Sequence, residues 1–283
     1  MTRLLHVSDL HFGPKFLPEV GEAALEAARR LRPDAVVVSG DLTQRAKRKE
    51  FADAAAYLRR FDARVVVVPG NHDVPLYRVW ERFLAPHRNY REQIAAELDT
   101  VTRLPGAVIV ALNSTRRLTL TNGRIRPRQL ELARAAFRSA AADACRIVVT
   151  HHHLAPPPDF EGGNVMPRAR RALRAFSEAG AELILAGHMH RSYIGSSLDF
   201  LGRERDHRGV IVVQCGTTTS SRGRGRERFR NALNVVEIEP TRVRVVHALW
   251  SPETSSFRPA SEHVFPRGDR LYLEQDWDSI GGS

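Results

Sequence analysis

Five short apolar runs in this chain each end in a side chain able to bind a metal ion, and this pattern restricts the fold more than any other feature. The endings are Asp9-Leu10-His11, Gly40-Asp41, Gly70-Asn71-His72-Asp73, His151-His152-His153 and Gly187-His188-Met189-His190. The runs before them are Leu4–Val7, Ala35–Val38, Val65–Val68, Ile147–Val149 and Leu183–Ala186; Val108–Leu112 is a sixth run without such an ending. Apart from Leu4–Val7, which His6 interrupts, they are continuous in apolar character and rich in β-branched residues, as strands buried on both faces are. Strand ends can meet at one spot only if the strands point the same way, and in open α/β sheets ligands gather outside the carboxyl ends. Helices should fill the intervals. Glu19–Arg30, Glu50–Arg60, Gln129–Ala142 and Arg168–Ala179 carry apolar residues at three-to-four spacing with arginines outside.

The pattern changes after Gly209. Val210–Cys215, Leu233–Glu239 and Val243–Leu249 read as strands joined by turns, which suggests a second sheet packed on the first. Val74–Pro105 breaks the alternation and reads as an insertion forming a cap or rim. From Ser251 the composition is that of a loop, with Leu271, Tyr272 and Trp277 as anchors for a docked tail or a dimer contact. The expectation is one α/β domain over residues 1–250, with the insertion at 74–105 and a tail over 251–283.

Hydrophobic content of 42% and charged content of 27% suit a soluble globular chain. No apolar run approaches the ~20 residues of a membrane span. The first strand begins almost at Met1, which leaves no room for a signal peptide, so the expected setting is cytoplasmic, without a membrane partner. Cys145 and Cys215 lie in or beside strands without metal-type spacing and read as buried thiols. The net charge of +11 invites a phosphate-rich partner. Yet only Lys15, Lys47 and Lys49 are lysine, and the arginines that make up the rest of the 43 basic residues run along the whole chain. A genome-wide preference for arginine codons gives the same pattern, so nucleic acid stays open as a partner without being favoured. One run is sharper, Arg222-Gly223-Arg224-Gly225-Arg226-Glu227-Arg228 followed by Arg230, a basic loop able to hold an anionic substrate.

Seven of the 12 histidines fall inside the five endings. In Asp-x-His and His-x-His, alternate side chains project to one side if the backbone stays extended. A single aspartate can bridge two cations with its two oxygens. Paired metals ~3.5–4 Å apart stabilise the attacking and departing oxygens of an in-line displacement. Nitrogen and oxygen donors without cysteine suit manganese, iron, nickel, cobalt or zinc better than calcium.

These blocks resemble the calcineurin-like metallophosphoesterase superfamily, whose pattern is Asp-x-His, Gly-Asp, Gly-Asn-His-(Asp/Glu), His and Gly-His-x-His. Cys215-Gly216-Thr217 with Ser220, Arg222 and Asn231 is similar to the closing strands of bacterial members, and the resemblance as a whole is greatest to the bacterial branch of class III cyclic-nucleotide and glycerophosphodiester phosphodiesterases. The resemblance implies a four-layer α/β/β/α sandwich, two facing mixed β-sheets flanked by helices. It implies one metal held by Asp9, His11, Asp41 and His190, and a second held by Asp41, Asn71, His151 and His188. His151 is chosen from the triple histidine because it comes first after the strand, with His152 as the alternative. It places His72 as the catalytic residue that stabilises phosphoryl oxygens or protonates the leaving oxygen. Arg45, His152 and Arg222 are the candidate substrate contacts.

Two departures matter. Gly40-Asp41-Leu42-Thr43-Gln44-Arg45 has Gln44 where phosphoprotein phosphatases of the family carry the acid that orients the histidine. Leu154-Ala155 also delays the proline that many bacterial relatives place straight after the histidine run. The expected function is binuclear-metal-dependent hydrolysis of a small phosphodiester such as a cyclic nucleotide, using manganese, iron, zinc or nickel. The alternatives are a metal-dependent DNA nuclease, a general phosphomonoesterase and, in another class, a non-catalytic scaffold, which the intact ligand set disfavours. A homodimer is the default assembly.

Overall fold

The computed structural model describes residues 1–119, 121–156, 165–201 and 209–267. In chain order its first half runs Thr2–Val7 (β1), Pro18–Leu31 (α1), Ala35–Val38 (β2), Arg48–Leu58 (α2), Arg64–Val67 (β3), Val79–Leu84 (α3), Arg88–Gln93 (α4), Thr100–Leu104 (β4) and Ala107–Leu112 (β5). Pro127–Arg138 (α5), Cys145–Thr150 (β6), Ala169–Glu178 (α6), Leu183–Ala186 (β7), Tyr193–Ser196 (β8) and Leu198–Leu201 (α7) follow. Ile211–Gln214 (β9), Ala232–Ile238 (β10), Arg242–Ser251 (β11) and Ser256–Pro266 (β12) close the described chain.

The strands form two six-stranded sheets, ordered β12-β11-β10-β1-β2-β3 and β4-β5-β6-β7-β9-β8. In the first, β1, β2 and β3 are parallel and β10 to β12 add antiparallel beside β1. In the second, β5, β6, β7 and β9 are parallel and β4 and β8 are antiparallel edges. Between the sheets lies one apolar layer that includes Leu4, Val37 and Val66 from one and Ile109, Ile147 and Leu185 from the other. Leu25, Phe51 and Tyr57 of α1 and α2 cover the outer face of the first sheet. Phe137, Leu173 and Phe176 of α5 and α6 cover that of the second. This is the α/β/β/α sandwich.

Three local expectations are corrected. The strands after Gly209 do not make a sheet of their own: β9 completes the second sheet, while β10, β11 and β12 extend the first. Pattern alone shows that a strand exists, but its partner is set by which edge remains open. The stretch from Val74 to Pro105 is only partly an insertion, because β4 is an edge strand of the second sheet. The loop composition after Ser251 hides β12, an 11-residue strand whose middle is exposed. It pairs with β11 along its length, with a shift in register at His247 and Ala248, opposite Ser261 and Pro259. An edge strand with a bulge accommodates proline, which is why the composition misleads. Leu271, Tyr272 and Trp277 lie outside the described residues, as do Pro157 and Pro158. Cys145 and Cys215 are free and buried, and burial pushes the Cys145 thiol up to about 12.

Candidate metal centre

The five endings meet where the two sheets face each other. β1, β2 and β3 deliver Asp9, His11, Asp41 and Asn71; β6 and β7 deliver His151, His188 and His190. Their backbone is not extended. Asp9, His11, Asp41, His188 and His190 have φ of 53°, 50°, 52°, 76° and 55°, half of the ten non-glycine residues in that region among the described residues. Each costs of order 1–3 kcal/mol, and such strain gathers at functional sites. The expectation that Asp-x-His and His-x-His stay extended is therefore corrected: left-handed turns bring the alternate side chains together.

Glycine is required twice by close approach. At Gly40, φ is +96°, and a Cβ would lie 2.6 Å from His151 Nδ1. At Gly70 a Cβ would collide with the Asp41 carboxylate and its backbone nitrogen.

Two donor groups result, Asp9, His11, Asp41 and His190 in one and His151, His152 and His188 in the other. Asn71 joins the second, its Oδ1 lying 3.0 Å from His151 Nε2 and 2.9 Å from His188 Nδ1. Asp41 stands between them. Its Oδ2 lies 3.6 Å from His11 Nε2, and its Oδ1 lies 3.4 Å from His151 Nε2. Asp9 Oδ1 lies 3.1 Å from His190 Nε2.

The orientation of the rings is set from outside the centre. His151 Nδ1–H donates to the Ser39 carbonyl at 2.8 Å, and His190 Nδ1–H donates to the Arg222 carbonyl at 2.9 Å. Each leaves an Nε2 lone pair facing inward. His11 Nε2 then faces His190 Nε2 at 3.2 Å, and His188 Nδ1 faces His151 Nε2 at 3.2 Å. Burial and neighbouring imidazoles hold His11 and His188 well below the ordinary histidine range, which keeps them neutral. Burial acts to lower His151 too, but Asp41 and Asp9 outweigh it and raise it. Burial alone would raise Asp9, yet His190, His151 and His11 hold it below the usual carboxylate range.

The residues fit cations. Asp9 Oδ1, His11 Nδ1 and Asp41 Oδ2 are buried without a hydrogen-bond partner. Buried carboxylate oxygens facing inward lone pairs are costly unless a positive charge joins them. Outer carbonyls that fix imidazole tautomers are the second layer that metal ligands receive.

His72 lies beside this cluster. Its Nδ1–H donates to the Gln44 carbonyl at 3.0 Å, and its backbone N–H donates to Asp41 Oδ1 at 2.8 Å. Gln44 thus orients the ring through its main chain, a role its side chain could not reveal in sequence. A cavity of about 240 Å³ opens here, lined by Gln44, Arg45, Asn71, His72, Leu76 and Arg82 among others. Arg45 therefore reaches the candidate substrate space. Arg222 enters through its carbonyl, while its half-buried guanidinium is lowered by burial and drawn the other way by Asp41 and Asp9. His152 is buried, its Nδ1 2.8 Å from Ser114 Oγ, with its ring 4.7 Å from that of His188.

Sequence reasoning gave no role to Asp73. Its carboxylate accepts from the backbone N–H groups of Gly70, Leu42 and Thr43 and from the Thr43 hydroxyl, tying the Gly40 and Gly70 turns together. Burial and Asp41 push its carboxyl up to about 7 against those donors. Its place at the end of Gly70-Asn71-His72-Asp73 was the available signal.

The calcineurin-like phosphoesterase family matches residues 2–192, more than half of the chain and all five metal-donor blocks. The chain belongs to that family. Its five blocks supply the binuclear metal-site residues typical of the family. A Rhodococcus erythropolis protein named "Probable cyclic nucleotide phosphodiesterase" is 28% identical over 216 residues, which span 67% of this chain and 65% of that protein. Among solved structures, the purple acid phosphatase PPD1 of yellow lupin superposes with a TM-score of 0.71 at 11% identity, over 95% of this chain and 54% of that one. A dimetal phosphatase from Danio rerio gives 0.65 at 12% identity, over 94% and 98%. At such identities the likeness is one of fold: two mixed sheets with flanking helices.

Proposed function

We propose that this phosphoesterase cleaves small phosphodiesters, cyclic nucleotides among them, with Asp9, His11, Asp41 and His190 holding one metal ion and Asp41, Asn71, His151 and His188 the other. The observation that carries this reading is the division of the Asp41 carboxylate, one oxygen toward each donor group. When bound, the ions supply an activated water and charge that stabilises the attacking and departing oxygens. The chain's own residues do the rest. The Ser39 and Arg222 carbonyls fix two of the ligand imidazoles. The His72 backbone N–H steadies Asp41. With His72 Nδ1–H committed to the Gln44 carbonyl, Nε2 is the atom left to face the leaving oxygen, and the imidazolium would give up its Nε2 proton there, leaving the neutral ring still bonded to Gln44. Arg45 borders the cavity where the substrate phosphate and its leaving group would lie.

Diester preference is supported by the name of the Rhodococcus relative, and Gln44 in place of a second acid weakens a phosphoprotein-phosphatase reading. Reconstitution with manganese, iron, nickel or zinc, each alone, followed by a substrate panel, tests it. Bis(p-nitrophenyl) phosphate and at least one cyclic nucleotide should turn over faster than p-nitrophenyl phosphate and single-stranded DNA. Faster cleavage of DNA would replace this reading with a nuclease, and faster monoester cleavage with a phosphomonoesterase.

A further inference from the structure

Helix α3, Val79–Leu84, is built inside out. Its arginine is buried and its apolar residues face solvent. Arg82 is 6% exposed. Its guanidinium donates to the carbonyls of Arg117 at 2.7 Å, Pro75 at 2.8 Å and Thr119 at 2.5 Å. These bonds satisfy the buried charge and pin the helix with the opposite face outward. On that face Val79 is 55% exposed, Trp80 80%, Phe83 40% and Leu84 79%. Tyr77, 73% exposed, precedes the helix, and Leu118, 66% exposed, stands on the loop that supplies the Arg82 acceptors. Six of the eight exposed large hydrophobic residues among those described therefore fall in these two short segments. Apolar side chains scattered singly need no explanation, but a ridge of this kind marks a surface that meets something apolar.

The surroundings say what. Residues 74–92 and 113–126 hold eight arginines and two acids, Glu81 and Glu92, which pair with Arg78 at 2.8 Å and Arg88 at 2.9 Å. Arg45 stacks on Tyr77, 5.1 Å from the ring centre, and Arg117 donates to the Phe83 carbonyl. Aromatic and aliphatic tips flanked by Arg45, Arg78 and Arg117 suit a layer that is apolar within and anionic at its surface. A second copy of the chain fits less well, because a two-fold contact sets α3 against α3 and the arginines against themselves. The ridge also adjoins the substrate space, since Leu76 and Arg82 line the cavity beside His72.

We propose that α3 with Tyr77 and Leu118 is an interfacial anchor that seats the protein on an anionic phospholipid surface, with the cavity beside His72 at the level of the headgroups. Its catalytic consequence, preferential access to phosphoesters held at such a surface, rests on the phosphodiesterase reading. The docking itself does not. No membrane-spanning helix is needed, and none of the described helices is long and apolar enough to be one.

The test is flotation of the metal-reconstituted full chain with liposomes. Liposomes of equal parts phosphatidylglycerol and phosphatidylcholine should carry the protein up, those of phosphatidylcholine alone should carry far less, and added salt should weaken the binding. Replacing Trp80→Ser and Leu84→Ser together should lower partition roughly 10-fold or more. The same variant should hydrolyse bis(p-nitrophenyl) phosphate in solution at the rate of the parent. Failure of the parent to float on the anionic liposomes overturns the proposal, as does unchanged flotation of the variant. A dimer in buffer that the double substitution dissolves also overturns it, because a second copy would then cover the ridge. Flotation as described without turnover of the soluble diester leaves the anchor standing and removes the diesterase reading instead.

Discussion

Asp41 and His72 are neighbours in space with different proposed duties, and substitution can separate them. The link between them runs through the His72 main chain, whose N–H donates to Asp41 Oδ1, and alanine retains that group. His72→Ala should therefore leave two metal ions per chain while lowering the rate on bis(p-nitrophenyl) phosphate by roughly 10²–10⁴-fold. Metal content by elemental analysis, read beside the rate, checks this; an emptied site would make His72 structural. The candidate ligands were legible in sequence because carboxylates and imidazoles advertise their chemistry and each ended an apolar run. The groups that aim them were not. Ser39, Gln44 and Arg222 act through carbonyls. Every residue carries a carbonyl, so no side chain announces its use. The left-handed turns at Asp9, His11, His188 and His190 were hidden for the same reason: backbone strain at a non-glycine residue is imposed by the surrounding fold.

Across elements, strands declared themselves better than their neighbours did. Leu183–Ala186 was bounded correctly because every residue in it is buried, whereas β4 and β12 lie at sheet edges with mixed faces. Pairing brings one polar row into the first sheet. His6 on β1 lies opposite Asn234 on β10, which lies opposite His247 on β11. The Asn234 amide donates to His6 Nδ1 at 3.4 Å, and His247 Nδ1–H donates to Asn234 Oδ1 at 3.0 Å. Burial lowers His6 to about 3, and burial with a smaller contribution from His263 lowers His247 to about 4, from 6.5. Glu227, 3.8 Å from His247, does not rescue the imidazolium, since burial raises its own carboxyl. The folded pKa lies below the unfolded one, so the unfolded chain binds more protons between about pH 6.5 and 4. Stability should be insensitive to this group above about 6.5 and fall as pH drops through that window, by up to about 3 kcal/mol for His247. Urea unfolding at a series of pH values checks it: His247→Gln should flatten the slope between pH 6.5 and 4, and an unchanged slope would show that His247 does not titrate in this way.

At the scale of the molecule, the metal centre is also a clasp. Donors from the first sheet and donors from the second would share two ions, with Asp41 common to both. Elsewhere the sheets are joined chiefly by an apolar layer, which is non-directional. Ions that bind only the folded chain add stability that grows with the logarithm of their concentration, about 2.7 kcal/mol when free metal is a hundred times the dissociation constant. For a chain of this size each kcal/mol moves the melting temperature by roughly 2–4 °C. Chelation should thus lower Tm by about 5–10 °C, and readdition of metal should restore it. Asp41→Ala removes the shared carboxylate and with it the stabilisation the ions would add, so this variant should melt below the metal-loaded parent and respond little to chelator. A scanning calorimetry series on both proteins decides it. If Asp41→Ala kept the full response of the parent to chelator, the ions would be bound elsewhere, and the two sheets would be held without them.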